Sequence, residues 1–170
     1  MDRPKVSIKV TPKKDVGIVF ALGGPTFGAA DGGVPAVTST ISLRNKSVAA
    51  DLAFKVKTNN ADKFWVEPKS GFIKRGATVP IRVELRPDHA RAVWDGAVDA
   101  RDFAKDRFLI QSVSVLDSDR ADLDADGDEA KSSAVNAIFQ NADPKTVLNT
   151  KRSVSVEVER KSEAMVKTTE

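Results

Sequence analysis

An all-β sandwich of two packed sheets is the fold this sequence predicts, on three observations. Apolar and polar residues alternate with a period of two through much of the chain. The alternating stretches are short, seven or eight of them, and turn signals separate them. The 170 residues are 41% hydrophobic and include no cysteine, so one packed core must form without a disulfide framework.

In chain order, Val6, Ile8 and Val10 alternate with Ser7 and Lys9, which gives a first strand one apolar face. Ile18 to Phe20 supplies a second strand. Ile41 and Leu43 flank Ser42, Phe54 and Val56 flank Lys55, and Phe64 to Val66 adds a short strand. Val79, Ile81, Val83 and Leu85 alternate with Pro80, Arg82 and Glu84. Proline has no ladder donor, so Pro80 predicts an edge strand or a bulge. Phe108 to Val115 and the run Val154, Val156 and Val158 complete the set. Ser70-Gly71 and Arg75-Gly76 read as turns. Residues 21 to 38, with Gly23, Gly24, Pro25, Gly28, Gly32, Gly33 and Pro35, read as a long Gly-rich loop. Residues 117 to 131 are acidic. Beyond them, Ser132 to Phe139 predict one short helix with a Ser cap and Val135, Ile138 and Phe139 on one face. No repeat and no second hydrophobic core is visible. Residues 1 to 160 are expected to form one domain, with 161 to 170 a polar tail or the start of a linker.

Composition excludes several functions. Net charge is +3, with 27 basic against 24 acidic residues of both signs interspersed, whereas nucleic-acid binding calls for a concentrated basic face. No apolar run reaches the length of a membrane span, and Met1-Asp2-Arg3-Pro4-Lys5 opens no signal-peptide core. Absence of cysteine is compatible with a reducing, cytoplasmic setting. No catalytic residue is assigned. The single histidine, His89, falls in Arg86-Pro87-Asp88-His89, read as a loop, with no Gly-x-Ser-x-Gly turn to pair it with a nucleophile. No cofactor is expected, because the Gly-rich loop lacks the Gly-Lys-Ser/Thr ending of a phosphate cradle. Asp122, Asp124 and Asp126 followed by Gly127 match the first half of an EF-hand calcium loop. The twelfth position is Ser133, where a bidentate Glu belongs, so a solvated acidic loop is expected and calcium is the lesser alternative. Asn45-Lys46-Ser47 matches a glycosylation acceptor by chance.

The order of several motifs adds a resemblance. These are Leu43-Arg44-Asn45-Lys46-Ser47, Phe54-Lys55-Val56-Lys57-Thr58-Asn59, Val66-Glu67-Pro68-Lys69-Ser70-Gly71-Phe72-Ile73, Val83-Glu84-Leu85-Arg86-Pro87 and Lys105-Asp106-Arg107-Phe108-Leu109-Ile110-Gln111-Ser112. Together they resemble the major-sperm-protein (MSP) domain family, in particular its VAP (VAMP-associated protein) branch. The likeness is strong from Ser39 to Ser114 and traceable from Lys5 to Phe20 and from Ser132 to Glu159. It implies a seven-stranded immunoglobulin-like, PapD-like sandwich. It also implies an adaptor for short acidic peptides containing phenylalanine, FFAT motifs, carried by lipid-transfer and tethering proteins at organelle contact sites. Self-assembly into cytoskeletal filaments, as in nematode sperm, is the family's other function and the alternative here.

On that resemblance Lys55, Lys57 and Arg107 supply charge, Thr58 and Asn59 hydrogen bonds, and Leu109 the wall of a pocket for a peptide aromatic. A further basic position falls at or beside Lys151, and Pro68 is a structural kink. The alternation agrees: with Phe54 and Val56 inward, Lys55 and Lys57 point outward about 7 Å apart. This chain departs from the VAP pattern at Arg107-Phe108-Leu109, where those proteins carry Lys-Phe-Met, and at Asn59, which replaces a threonine. Its Gly-rich loop is longer. The VAP coiled coil and membrane anchor do not appear before Glu170. An anchor beyond that point would place the domain on the cytosolic face of the endoplasmic reticulum.

Overall fold

The computed structural model describes residues 3–23, 37–119 and 128–158. Within them, nine strands form two sheets. The first sheet runs β1 (Ile8–Thr11), β3 (Val37–Asn45), β7 (Thr78–Leu85) and β5 (Phe64–Glu67) in space, all antiparallel. The second runs β2 (Ile18–Leu22), β9 (Leu148–Val158), β8 (Arg107–Ser114), β4 (Leu52–Thr58) and β6 (Ser70–Ile73). Its pairs are antiparallel except β2 with β9, which is parallel. Helix α1 (Pro87–Trp94) follows β7, and helix α2 (Asp128–Asn141) precedes β9. The immunoglobulin-like sandwich is as expected, with nine strands in place of seven.

Alternation builds the core. Ile41, Leu43, Ile81, Val83 and Leu85 from the first sheet face Phe20, Phe54, Phe108, Ile110 and Val154 from the second, all buried. Phe64 binds the layers together. Its ring stacks on Phe20 at 5.5 Å between centroids and meets Phe108 edge-on at 5.1 Å and Phe103 at 6.2 Å. Two buried polar side chains close the sandwich. Asn45 donates from Nδ2 to the carbonyls of Ala50 (2.9 Å) and Ile73 (3.0 Å), tying β3 to the opposite sheet. Being wholly buried, it is no glycan acceptor. Arg152 donates to the carbonyls of Pro12 (2.7 Å) and Val10 (3.2 Å), and burial holds its guanidinium below the usual value.

Three local expectations change. Ser70-Gly71 is not a turn but the start of β6, because a glycine there lets the strand lie over the Phe54 ring: a Cβ at Gly71 would sit 3.0 Å from it. Glu67 ends a strand of one sheet and Ser70 opens a strand of the other, so Pro68, after a cis peptide bond, sits in the short link between layers. His89 lies in helix α1, not in a loop. Pro87 occupies the first turn, where its missing N–H costs nothing, and Ala90 and Val93 are buried beneath. Helix α2 starts four residues earlier than expected, which places Ser132 inside it rather than at its cap.

Pro80 sits in β7, an inner strand, yet obeys the rule that predicted an edge. Asn45 N–H donates to the Ala77 carbonyl, so odd-numbered residues of β7 turn their backbone groups to β3 and even-numbered ones away. The nitrogen of Pro80 therefore faces the β5 side, where the ladder ends at Arg82.

A second apolar cluster, absent from the sequence reading, lies on the outer face of the second sheet. Val135, Ile138 and Ala142 pack on Ala53, Val113 and Val115, with Phe72, Phe139 and Val147 at its margin. Of the Gly-rich stretch, residues 21–22 and 37–38 belong to strands. Residues 24–36, the candidate ligands Asp122, Asp124 and Asp126, and the tail 161–170 lie outside the described residues.

Candidate functional site

Beyond the end of α2, the outer face of the second sheet is uncovered, and strand register arranges it in rows. Lys57 of β4 stands opposite Leu109 of β8, which stands opposite Lys151 of β9. Two residues toward α2, Lys55 stands opposite Gln111 and Gln111 opposite Asn149. Two residues the other way, Arg107 stands opposite Ser153, and Asn59 donates its N–H to the Arg107 carbonyl at 3.3 Å. Successive rows are about 6.6–6.8 Å apart. The alternate positions Phe54, Val56, Phe108 and Ile110 are buried, so the row residues point outward.

The central row places one half-buried apolar side chain, Leu109, between two exposed ammonium groups. Among the described residues no ion pair forms with Lys55, Lys57, Arg107 or Lys151. Lys55 leans its Nζ over the Phe139 ring, 5.1 Å from the centroid. Burial first, and then the charge of Lys57, hold its ammonium below the usual lysine value. Arg107 is steered by the 3-10 turn Ala100–Lys105 ahead of β8: its Nη1 donates to the carbonyls of Ala104 and Asp106.

The remaining candidates divide. Asn59 is committed to the backbone, accepting from Arg107 N–H at 2.8 Å and donating to the Lys105 carbonyl at 2.9 Å. It joins the end of β4 to the start of β8. Thr58 stands opposite buried Phe108 and shares the inward parity of Phe54 and Val56, so the lysine face excludes it. Its hydroxyl accepts from Asn60 N–H at 3.2 Å. Lys151, whose register was open in the sequence, stands opposite Leu109.

Other contributors went unread in the sequence. A groove of about 300 Å³ opens beside Lys55 and Lys57, with Gln111 and Asn149 on its floor and Phe139 and Val147 among its walls. Phe139 was visible as part of an apolar helix face, but nothing marked what it covers. Behind Arg107, the buried carboxylate of Asp106 pairs with Lys63 at 3.0 Å, and Lys63 sits 4.5 Å over the Phe103 ring. This pair fixes the turn that presents Arg107.

Among the described residues no group of three or more His, Cys, Asp or Glu side chains gathers to hold a metal ion, and no helix is long and apolar enough to cross a membrane. The His89 Nε2 lies 3.9 Å from the Asp88 carboxylate on an outer helix turn. The open face instead offers positive charge around a strip of apolar surface, suited to a chain with acidic and apolar side chains.

The MSP (Major sperm protein) domain matches residues 25–135. Vesicle-associated membrane protein-associated protein A of Homo sapiens is 30% identical over 117 residues, covering 66% of this chain and 43% of that protein. Vesicle-associated protein 1-3 of Arabidopsis thaliana is 33% identical over 78 residues, covering 46% of this chain and 30% of that protein. A solved C. elegans MSP family member overlays with a TM-score of 0.49 at 17% identity, over 89% of this chain and 97% of that one. The chain spans less than half the length of the two curated relatives. It belongs to the MSP domain family.

Proposed function

We propose that the chain is a protein-binding adaptor domain that takes short acidic, phenylalanine-containing peptides of the FFAT type on the outer face of β4, β8 and β9, as in tethering at membrane contact sites. The observation that carries this reading is the row Lys57–Leu109–Lys151, an apolar side chain between two lysines that form no ion pair among the described residues. Lys55 and Arg107 extend the positive field on either side.

Magnitudes assign the roles. Exposed charge pairs contribute about 0.2–1 kcal/mol each and are screened by salt. Burying an apolar side chain contributes about 1.5–3 kcal/mol. The aromatic of the ligand, seated on Leu109 and the lysine stems, therefore supplies most of the affinity, while the lysines speed encounter and select acidic sequences.

The test is fluorescence anisotropy of a labelled FFAT-type peptide, titrated with the domain at two salt concentrations. Saturable binding that weakens with salt and is lost in Lys57→Asp supports the reading. No binding at high protein concentration, or undiminished binding in Lys57→Asp, overturns it.

Self-association is the second reading, favoured by one observation: Trp65, 49% exposed, stands on the edge strand β5. Sedimentation that finds only monomer across a wide concentration range removes it.

A further inference from the structure

The groove beneath the end of α2 borders the central row at Lys57, and its chemistry differs from that of Leu109's surroundings. Its walls are apolar: Phe139, Val147, Ala142 and Pro144. Its floor is polar, formed by the Lys55–Gln111–Asn149 row, with Gln111 Nε2 donating to Asn149 Oδ1 at 3.0 Å. Among the described residues no carboxylate lines it. At about 300 Å³ it stands at the lower end of the range for ligand pockets, room for one side chain rather than a cofactor. Leu109 is not among its lining residues, so the face has two separate apolar places, one on the central row and one beside the next.

The spacing of those places is set by the strands. Leu109 and Gln111 are successive outward positions of β8, about 6.6–6.8 Å apart. An extended ligand has the same repeat, since its residues i and i+2 share a face. A peptide running along β8 with one apolar side chain on Leu109 therefore delivers the side chain two residues along to the groove. Positive charge lies on both sides of that track, at Lys57 and Lys151 beside the first place and Lys55 beside the second. The two ends of the track differ: α2 walls the Lys55 end, and among the described residues nothing covers the Arg107 end.

Resting on the peptide-binding reading above, we propose that the groove under Phe139 is a second anchor subsite, which selects acidic ligands with two apolar side chains in an apolar-x-apolar spacing. Chain direction follows, because only the second apolar residue meets a walled pocket. A ligand with a single apolar residue is held on Leu109 alone. Lys55 serves both parts of the ligand, its stem and cation flanking the entering side chain and its charge meeting the acid beside it.

The experiment uses two labelled synthetic peptides rich in glutamate. One carries a single phenylalanine, and the other adds a leucine two residues from it in place of serine. Burial of that leucine is expected to tighten binding about tenfold or more. The gain is expected to vanish in Phe139→Ala, which removes the wall, and in Asn149→Phe, which fills the groove from an exposed strand position and does not depend on α2 staying packed. Equal affinity of the two peptides for the unaltered domain, or a gain that survives both variants, overturns the subsite while the single-phenylalanine peptide still reports on the central row. Failure of both peptides to bind the unaltered domain overturns the peptide reading and the subsite with it.

Discussion

The outer face of the second sheet has two halves that differ in what covers them. Toward one end, Ala53, Val113 and Val115 lie under Val135 and Ile138 of α2 and under Ala142 just past its end. That helix presents Val135, Ile138 and Phe139 at i, i+3 and i+4, a stripe that must be buried somewhere. Toward the other end the helix has stopped at Asn141, and the same strands show Lys55, Lys57, Leu109 and Lys151. Charge follows the same division across the molecule. Lys63 has Asp106, and Arg152 has the carbonyls of Val10 and Pro12, whereas no ion pair involves the cations of the open half among the described residues. Cations that the fold needs are given internal partners. Those left over on one face are available to a ligand.

The division predicts that substitutions in the covered half act on folding and those in the open half on binding. The largest expected effect is Ile138→Ala, which truncates a buried side chain and should cost about 2–5 kcal/mol of stability in a urea titration. Peptide affinity of the fraction still folded should stay as it was. A small stability change with a large affinity change would break the distinction. Asp106→Asn comes next. It leaves the Lys63 ammonium without its carboxylate in a mostly buried site and should cost about 3 kcal/mol of stability. Because Asp106 also orders the turn before β8, affinity should fall modestly through Arg107, so this variant measures how far the two halves communicate. Leu109→Asp should cost about 2 kcal/mol in peptide affinity, roughly thirtyfold, with stability within about 0.5 kcal/mol of the parent. Equal losses in both measurements would place Leu109 with the core.

Legibility from sequence divides along similar lines. β3, β7 and β9 were plain in the alternation because one side of each packs inward and the other meets water. β4 was harder: Leu52, Ala53 and Phe54 are consecutively buried, since α2 covers the outward Ala53, and period two disappears there. β6 was hidden by Ser70-Gly71, where glycine serves close approach to Phe54 and not a turn. α1 was hidden because Pro87-Asp88 reads equally as a loop or as a helix start. At the site, the outward parity of Lys55 and Lys57 followed from spacing alone. Row membership did not, since the place of Lys151 opposite Leu109 depends on register between strands about forty residues apart in the chain. The roles of Asn45, Asn59 and Asp106 could not be read either, because each is defined by a partner distant in sequence.

The smallest expected effect tests whether the open half is crowded with charge. Lys55 titrates below the usual lysine value first because it is partly buried and second because Lys57 repels it. Between that lowered value and the ordinary one near 10.5, the unfolded chain holds the Lys55 proton and the folded domain does not. This group's contribution to stability therefore rises with pH in that window. Its pull on an acidic ligand falls over the same window, because the bound cation is being lost. Lys57→Gln removes the second cause and leaves the first. The Lys55 titration in the free domain, followed by NMR of the lysine ammonium, should move upward but stop short of an ordinary lysine. A titration that does not move would mean that solvent screens the two ammonium groups from each other. The affinity of the face would then come from separate contacts and not from a shared field.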